Sequence, residues 1–87
     1  MREQHEDPVN MLAVFTRRPP GVVRIVPMAM QWRGKRWPVD TMGLYHPERR
    51  GTKRIHIFGF SSGDTAFRVE LDPESLEWTL VEVFYGS

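Results

Sequence analysis

Apolar and polar residues alternate through much of this chain, and a period of two predicts strands rather than helices. Phe58 and Phe60 share a parity, as do Phe67, Val69 and Leu71, with Arg68 and Glu70 between them. A two-residue loop at Gly63-Asp64 puts both apolar sets on one face, so residues 54–61 and 65–71 read as a hairpin. The same logic applies to Met28-Ala29-Met30-Gln31-Trp32-Arg33-Gly34-Lys35-Arg36-Trp37-Pro38-Val39. A tight turn at Arg33-Gly34 or Gly34-Lys35 gathers Val26, Met28, Met30 and Trp32 with Trp37 and Val39, and turns Gln31, Arg36 and Asp40 away. A three-residue loop would mix Trp32 with Arg36 and Asp40, so the two-residue loop is expected.

The remaining elements follow from breaks in this pattern. Val22 to Trp32 reads as the first long strand, and Pro27 within it calls for a bulge or an edge position because it has no N–H to donate. The return strand runs from Arg36 to about His46, and its parity reverses near Gly43, where a second bulge or a bend is expected. Pro47 to Lys53 reads as a polar loop and Asp72-Pro73-Glu74-Ser75 as a turn. The last strand, Glu77 to Tyr85, changes parity between Leu80 and Val81, which suggests another bulge or burial on both faces. Residues 1–8 are polar and expected to fray. Residues 10–16 could be strand or short helix, and Val14, Phe15 and Thr16 favour a strand at an edge. Arg17-Arg18-Pro19-Pro20-Gly21 should interrupt any regular structure.

The expected architecture is therefore all-β, an antiparallel meander of five to six strands curled into a small SH3-like or OB-like barrel, or a half-barrel. A polar segment over 1–20 precedes a single β domain over 21–87. Eighty-seven residues suffice for one modest core. The chain has no cysteine, which removes disulfides, thiolate metal sites and cysteine nucleophiles, and fits a reducing compartment. With no apolar leader and no run of membrane-spanning length, a cytoplasmic protein that does not engage the membrane is expected.

Charge changes the picture. The net charge of +1 conceals a net of −2 over residues 1–16, +8 over 17–54 and −5 over 55–87. Such segregation points to an anionic partner or to an internal match of faces. The tip Arg33, Lys35 and Arg36 is flanked by Trp32 and Trp37, and Arg49, Arg50, Lys53 and Arg54 form a second basic stretch. Bases on loops can reach phosphates and exposed indoles can stack on nucleobases, although Trp rings on an apolar parity are more often core. His46 and His56 could approach each other across adjacent strands, but two imidazoles fall short of a metal site. Ser61-Ser62-Gly63-Asp64-Thr65 is explained by turn chemistry alone. No catalytic set stands out, so neither enzyme activity nor a cofactor is expected.

Asp7-Pro8-Val9, the segment Trp32 to Val39, Phe67-Arg68-Val69-Glu70-Leu71 and Trp78-Thr79-Leu80-Val81-Glu82-Val83 together resemble a group of small bacterial β domains of unknown function. These carry a W-R-G-R-x-[WY]-x-V hairpin and an F-x-L…W-x-L close. Some members look like companions or tails of DNA-repair and translesion-synthesis proteins, so the resemblance implies a nucleic-acid setting. The leading expectation is accordingly a DNA or RNA binder of weak sequence specificity acting through the basic hairpin loops. The alternative is a protein-interaction or self-assembly module, with an acidic partner or a second copy meeting segregated basic and acidic faces.

Overall fold

The computed structural model describes residues 1–18 and 22–86, and its regular structure is entirely β. Seven strands are formed by the described residues: β1 (Arg2–Arg18), β2 (Val22–Trp32), β3 (Lys35–Pro38), β4 (Thr41–Arg50), β5 (Lys53–Ser62), β6 (Thr65–Asp72) and β7 (Glu77–Tyr85). They make one antiparallel sheet in the order β3-β2-β1-β7-β6-β5-β4. The sheet does not close, so the expectation of a barrel of five to six strands is corrected to an open sheet of seven. The interruption expected at Pro19-Pro20-Gly21 lies outside the described residues.

Two of the expected hairpins form as the parity argument requires. Trp32 pairs with Lys35 across a two-residue loop in which Arg33 and Gly34 both have positive φ, 52° and 73°. That is a type I′ turn, whose twist matches the flanking strands. Gly34→Val places a β-branched side chain at this φ and is expected to cost about 1–2 kcal/mol. Urea unfolding of the two proteins checks this through the midpoint at constant slope. Ser62 pairs with Thr65 across the two-residue loop Gly63-Asp64, in which Gly63 has positive φ, 59°, and Asp64 does not.

All three expected irregularities are present, and each explains a reversal of parity. Leu12 pairs with Ala29 and Ala13 with Pro27, so Met28 is an extra residue beside the proline. Met28 is consequently exposed rather than grouped with Met30 and Trp32. In β4 the extra residue is Gly43, between the pairs Met42–Phe60 and Leu44–Gly59. In β7 it is Val81, between Leu80–Val69 and Glu82–Arg68.

Three segments depart from the sequence reading. The supposedly frayed N-terminal segment and the short strand at 10–16 are one 17-residue strand inside the sheet. Arg2 to Val9 pairs with β7 and Asn10 to Arg18 with β2, so β1 passes from one ladder to another along its length. The expected strand from Arg36 to His46 is divided at Val39-Asp40. The Val39 N–H donates to the Met28 carbonyl of β2, and the next N–H, of Asp40, donates to the Ser61 carbonyl of β5. The expected loop Pro47–Lys53 is mostly strand. Arg50 pairs with Lys53 around Gly51-Thr52, with Gly51 at φ 62°. Pro47 is tolerated because β4 is the last strand of the sheet.

These two crossings fold the β2–β3 hairpin over one face of the β5–β6–β7 ladder. Met30 and Trp32 pack there with Phe58, Phe60, Phe67, Val69, Leu71, Trp78, Leu80 and Val83 to form the core. Phe67 sits at its centre, 6.2 Å from the Trp32 ring, 5.0 Å from Trp37 and 5.3 Å from Phe60 by ring centroids. The opposite face of the same ladder carries charges instead. Glu82 there forms ion pairs with Arg2 and Arg68, and Glu70 accepts from Arg50.

Candidate functional site

The residues singled out for nucleic-acid binding do not form one surface. Trp32 is only 7% exposed, with its Nε1 donating to an Asp7 oxygen at 2.9 Å and the Arg33 guanidinium 4.5 Å above its ring. Trp37 is half-buried against Phe67, and the Lys35 ammonium lies 4.1 Å from its ring centre. Both indoles are thus covered by the core and by the cations beside them. Arg50 makes a bidentate contact with Glu70 at 2.7 and 2.6 Å and a further bond to Glu48. Hydrogen bonds to those carboxylates, that to Glu70 foremost, push its guanidinium still further above the ordinary arginine range. Lys53 donates to Asp72 at 3.0 Å.

Part of the charge segregation in the chain is therefore an internal match, in which Arg50 and Lys53 of the central basic segment pair with Glu70 and Asp72 of the acidic C-terminal one. Arg36, Arg49 and Arg54 enter no ion pair among the described residues. The two basic stretches are also apart. Asp7, which Arg33 approaches to 3.8 Å, lies level with Leu80, Val69 and Phe58 in the ladder. Arg54 stands four residues along β5 from Phe58, about 13 Å at strand rise.

A polar cluster that the sequence reading missed surrounds Trp32. Glu3, His5 and Asp7 share a parity of β1, and His5 faces both carboxylates, with Nε2 3.0 Å from Glu3 and Nδ1 3.4 Å from Asp7. The His5 ring meets Trp32 edge-on at 5.2 Å, and the Tyr85 hydroxyl donates to Glu3 at 3.2 Å. The signal for this strand is the unbroken period-two parity from Glu3 through Val9 and Met11 to Ala13, all half-buried.

Titration of these and other groups sets an acid limit. The hydrogen bond from His5 holds Glu3 below its ordinary value of 4.5, and the one from Lys53 holds Asp72 below 3.8. Burial, with the charge of Arg54, holds His56 below 6.5. Each group binds its proton more weakly folded than unfolded. The stability they contribute is complete above the unfolded values and is lost as pH falls through the lowered ones. Urea midpoints should therefore fall below about pH 6.5 and again below about pH 4.5, and a flat profile down to pH 3 would contradict the assignment.

His46 and His56 do not come together. His56 lies on the core side, its Nδ1 2.8 Å from the Tyr45 hydroxyl and its ring stacked on Tyr45 at 5.8 Å, whereas His46 has the opposite parity. Among the described residues no group of side chains could hold a metal ion, and no helix is long and apolar enough to cross a membrane.

The best-formed concavity lies where the sheet fails to close. It is a cleft of about 470 Å³ between residues 24–27 of β2 and 42–45 of β4, floored by Phe58 and His56. Its lining is mainly apolar: Ile25, Val26 and Pro27 on one wall, Met42, Leu44 and Tyr45 on the other. Met42, Leu44 and Tyr45 are 38%, 41% and 50% exposed. The short β3 pairs only with Ala29 to Trp32, so it leaves this part of β2 uncovered, and no strand of the described residues pairs with the outer side of β4. Two unpaired backbone edges thus bound an apolar cleft. Phe15, 53% exposed, pairs with Ile25 and extends the apolar surface along β1. Comparison with family models, curated proteins and solved structures finds no match, so the functional reading rests on this geometry.

Proposed function

We propose that this chain is a protein-interaction module whose docking site is the cleft between β2 and β4. The observation that carries the reading is the coincidence of an apolar floor with two open strand edges. Exposed apolar edges are the features that small β proteins ordinarily blunt with charge, proline or a bulge. Here β4 has those devices at Gly43 and from Pro47 onward, yet keeps Leu44 and Tyr45 exposed between them. This reading takes precedence over nucleic-acid binding because both indoles are occupied and Arg50 and Lys53 are already paired.

Selection from a displayed library of random ten-residue peptides, with the protein as bait, tests the proposal. Selected peptides should perturb amide resonances of residues 24–27 and 42–45 and lose affinity at least tenfold against Met42→Asp, since Met42 pairs with Phe60 and lines the cleft. Met42 is exposed enough for this variant to stay folded, which its thermal midpoint verifies. A library that yields no binder, or binders whose shifts map to the charged face around Glu82, would overturn the reading.

A further inference from the structure

We infer, on the basis of the cleft reading, that the occupant is an extended segment of a partner protein with an apolar and an acidic side chain four residues apart. Three observations converge on this chemistry. The first is the backbone. The outer side of β4 is unpaired among the described residues, and an added strand satisfies its N–H and C=O groups as no helix can. Pro47 has no N–H, so the new ladder centres on Thr41 to His46.

The second is charge. Arg49 and Arg54 are directly opposite each other across β4 and β5, a like-charge pair that by itself destabilises the hairpin. Their parity is that of Tyr45 and Phe58, so they stand on the cleft side of the sheet. Arg24 lines the facing wall. None of the three enters an ion pair among the described residues. Arg50 and Lys53, adjacent in sequence but on the other face, are held by Glu70, Glu48 and Asp72. Cations are thus neutralised on the charged face and left uncompensated at one end of the cleft, where a carboxylate would complete them.

The third is spacing. Tyr45 and Arg49 share a face of β4 and are four residues apart, about 13 Å. A strand running beside β4 in step sets an apolar side chain against Tyr45 and a Glu or Asp against Arg49 at positions i and i+4, in either chain direction. A second copy is a poorer fit. Of its own open edges, β4 has Glu48 as its one acid, already bonded to Arg50, while β3 and residues 24–27 of β2 have none.

The peptides selected above supply the test. They should be enriched in Asp or Glu four residues from Leu, Ile, Val or Phe. Replacing that acid by its amide should weaken binding about tenfold at 50 mM salt. The double variant Arg49→Gln/Arg54→Gln should weaken binding of the acidic peptides to the same degree and leave the amide versions unchanged. Relief of the like-charge pair should keep its thermal midpoint at or above that of the parent. Peptides that dock at residues 24–27 and 42–45 but ignore both the amide exchange and the double variant would overturn the inference and leave the cleft reading standing. Absence of any cleft-bound peptide would overturn both. A dimer that competes with peptide would assign the cleft to a second copy. Labelled single-stranded DNA that binds through Arg49 and Arg54 while peptides do not would assign the cations to phosphate.

Discussion

Phe67→Ala is expected to lose about 3–5 kcal/mol of folding stability, the range for truncating a fully buried aromatic ring. Phe67 is 1% exposed and is the ring on which Trp32, Trp37 and Phe60 converge from both layers. Its removal opens a void between the layers that the β2–β3 hairpin, held by its tight turn and by its ladder to β1, cannot collapse to fill. A domain of this size has roughly 5–10 kcal/mol in total, so the variant should be near its unfolding transition at 37 °C. At about 4–8 °C per kcal/mol, the thermal midpoint should fall by at least about 12 °C. Phe67→Leu, which keeps most of the volume, should recover more than half of the loss. Equal midpoints for Phe67→Ala and the parent would mean that the layers do not pack as described.

Asp7→Ala is expected to cost about 1–3 kcal/mol, far more than a half-exposed surface acid ordinarily would. The carboxylate accepts the Trp32 indole N–H at 2.9 Å and lies 3.4 Å from His5 and 3.8 Å from Arg33. Without it, a buried N–H loses its acceptor. A double-mutant cycle with Trp32→Phe isolates that bond. With the indole N–H gone, Asp7→Ala should cost at least 0.5 kcal/mol less than it does in the parent. Strict additivity would show that Asp7 acts only through His5 or Arg33.

Asp7 also marks the limit of what the sequence disclosed. The β2–β3 and β5–β6 hairpins were legible because their apolar residues are numerous and their turns carry glycine, so parity alone selects the loop length. The bulges at Gly43 and Val81 were legible as breaks in that parity, and the one at Met28 through the missing N–H of Pro27. The first half of β1 was not. Its inward residues are Glu3, His5 and Asp7, whose partners Trp32, Arg33 and Tyr85 are far away in sequence, so a strand that is half-buried reads as a polar tail. β4 failed for the opposite reason. Every one of its residues is exposed, no alternation is imposed on it, and Pro47-Glu48-Arg49-Arg50 has the composition of a loop.

The candidate site was hidden in a similar way. Trp32, Trp37, Arg33 and Lys35 around Gly34 are conspicuous in the sequence but are engaged by packing and by one another. The cleft, by contrast, depends on β3 stopping at Pro38 while β2 extends well past it, a mismatch of lengths that no local motif encodes.

The division of β1 between two partners has a kinetic consequence. Its second half can zip onto β2 as soon as that neighbour exists, a contact of short sequence separation. Its first half must wait for β7, since Arg2 pairs with Phe84 and Val9 with Trp78. The ladder that joins the layers on this side is thus the most non-local in the chain, and loop-closure entropy makes it slow to nucleate. A nascent chain that has emerged only as far as β6 holds half of its longest strand without a hydrogen-bonding partner. The final step of folding is then expected to be the arrival of β7 between β6 and β1, which turns two separate ladders into one sheet.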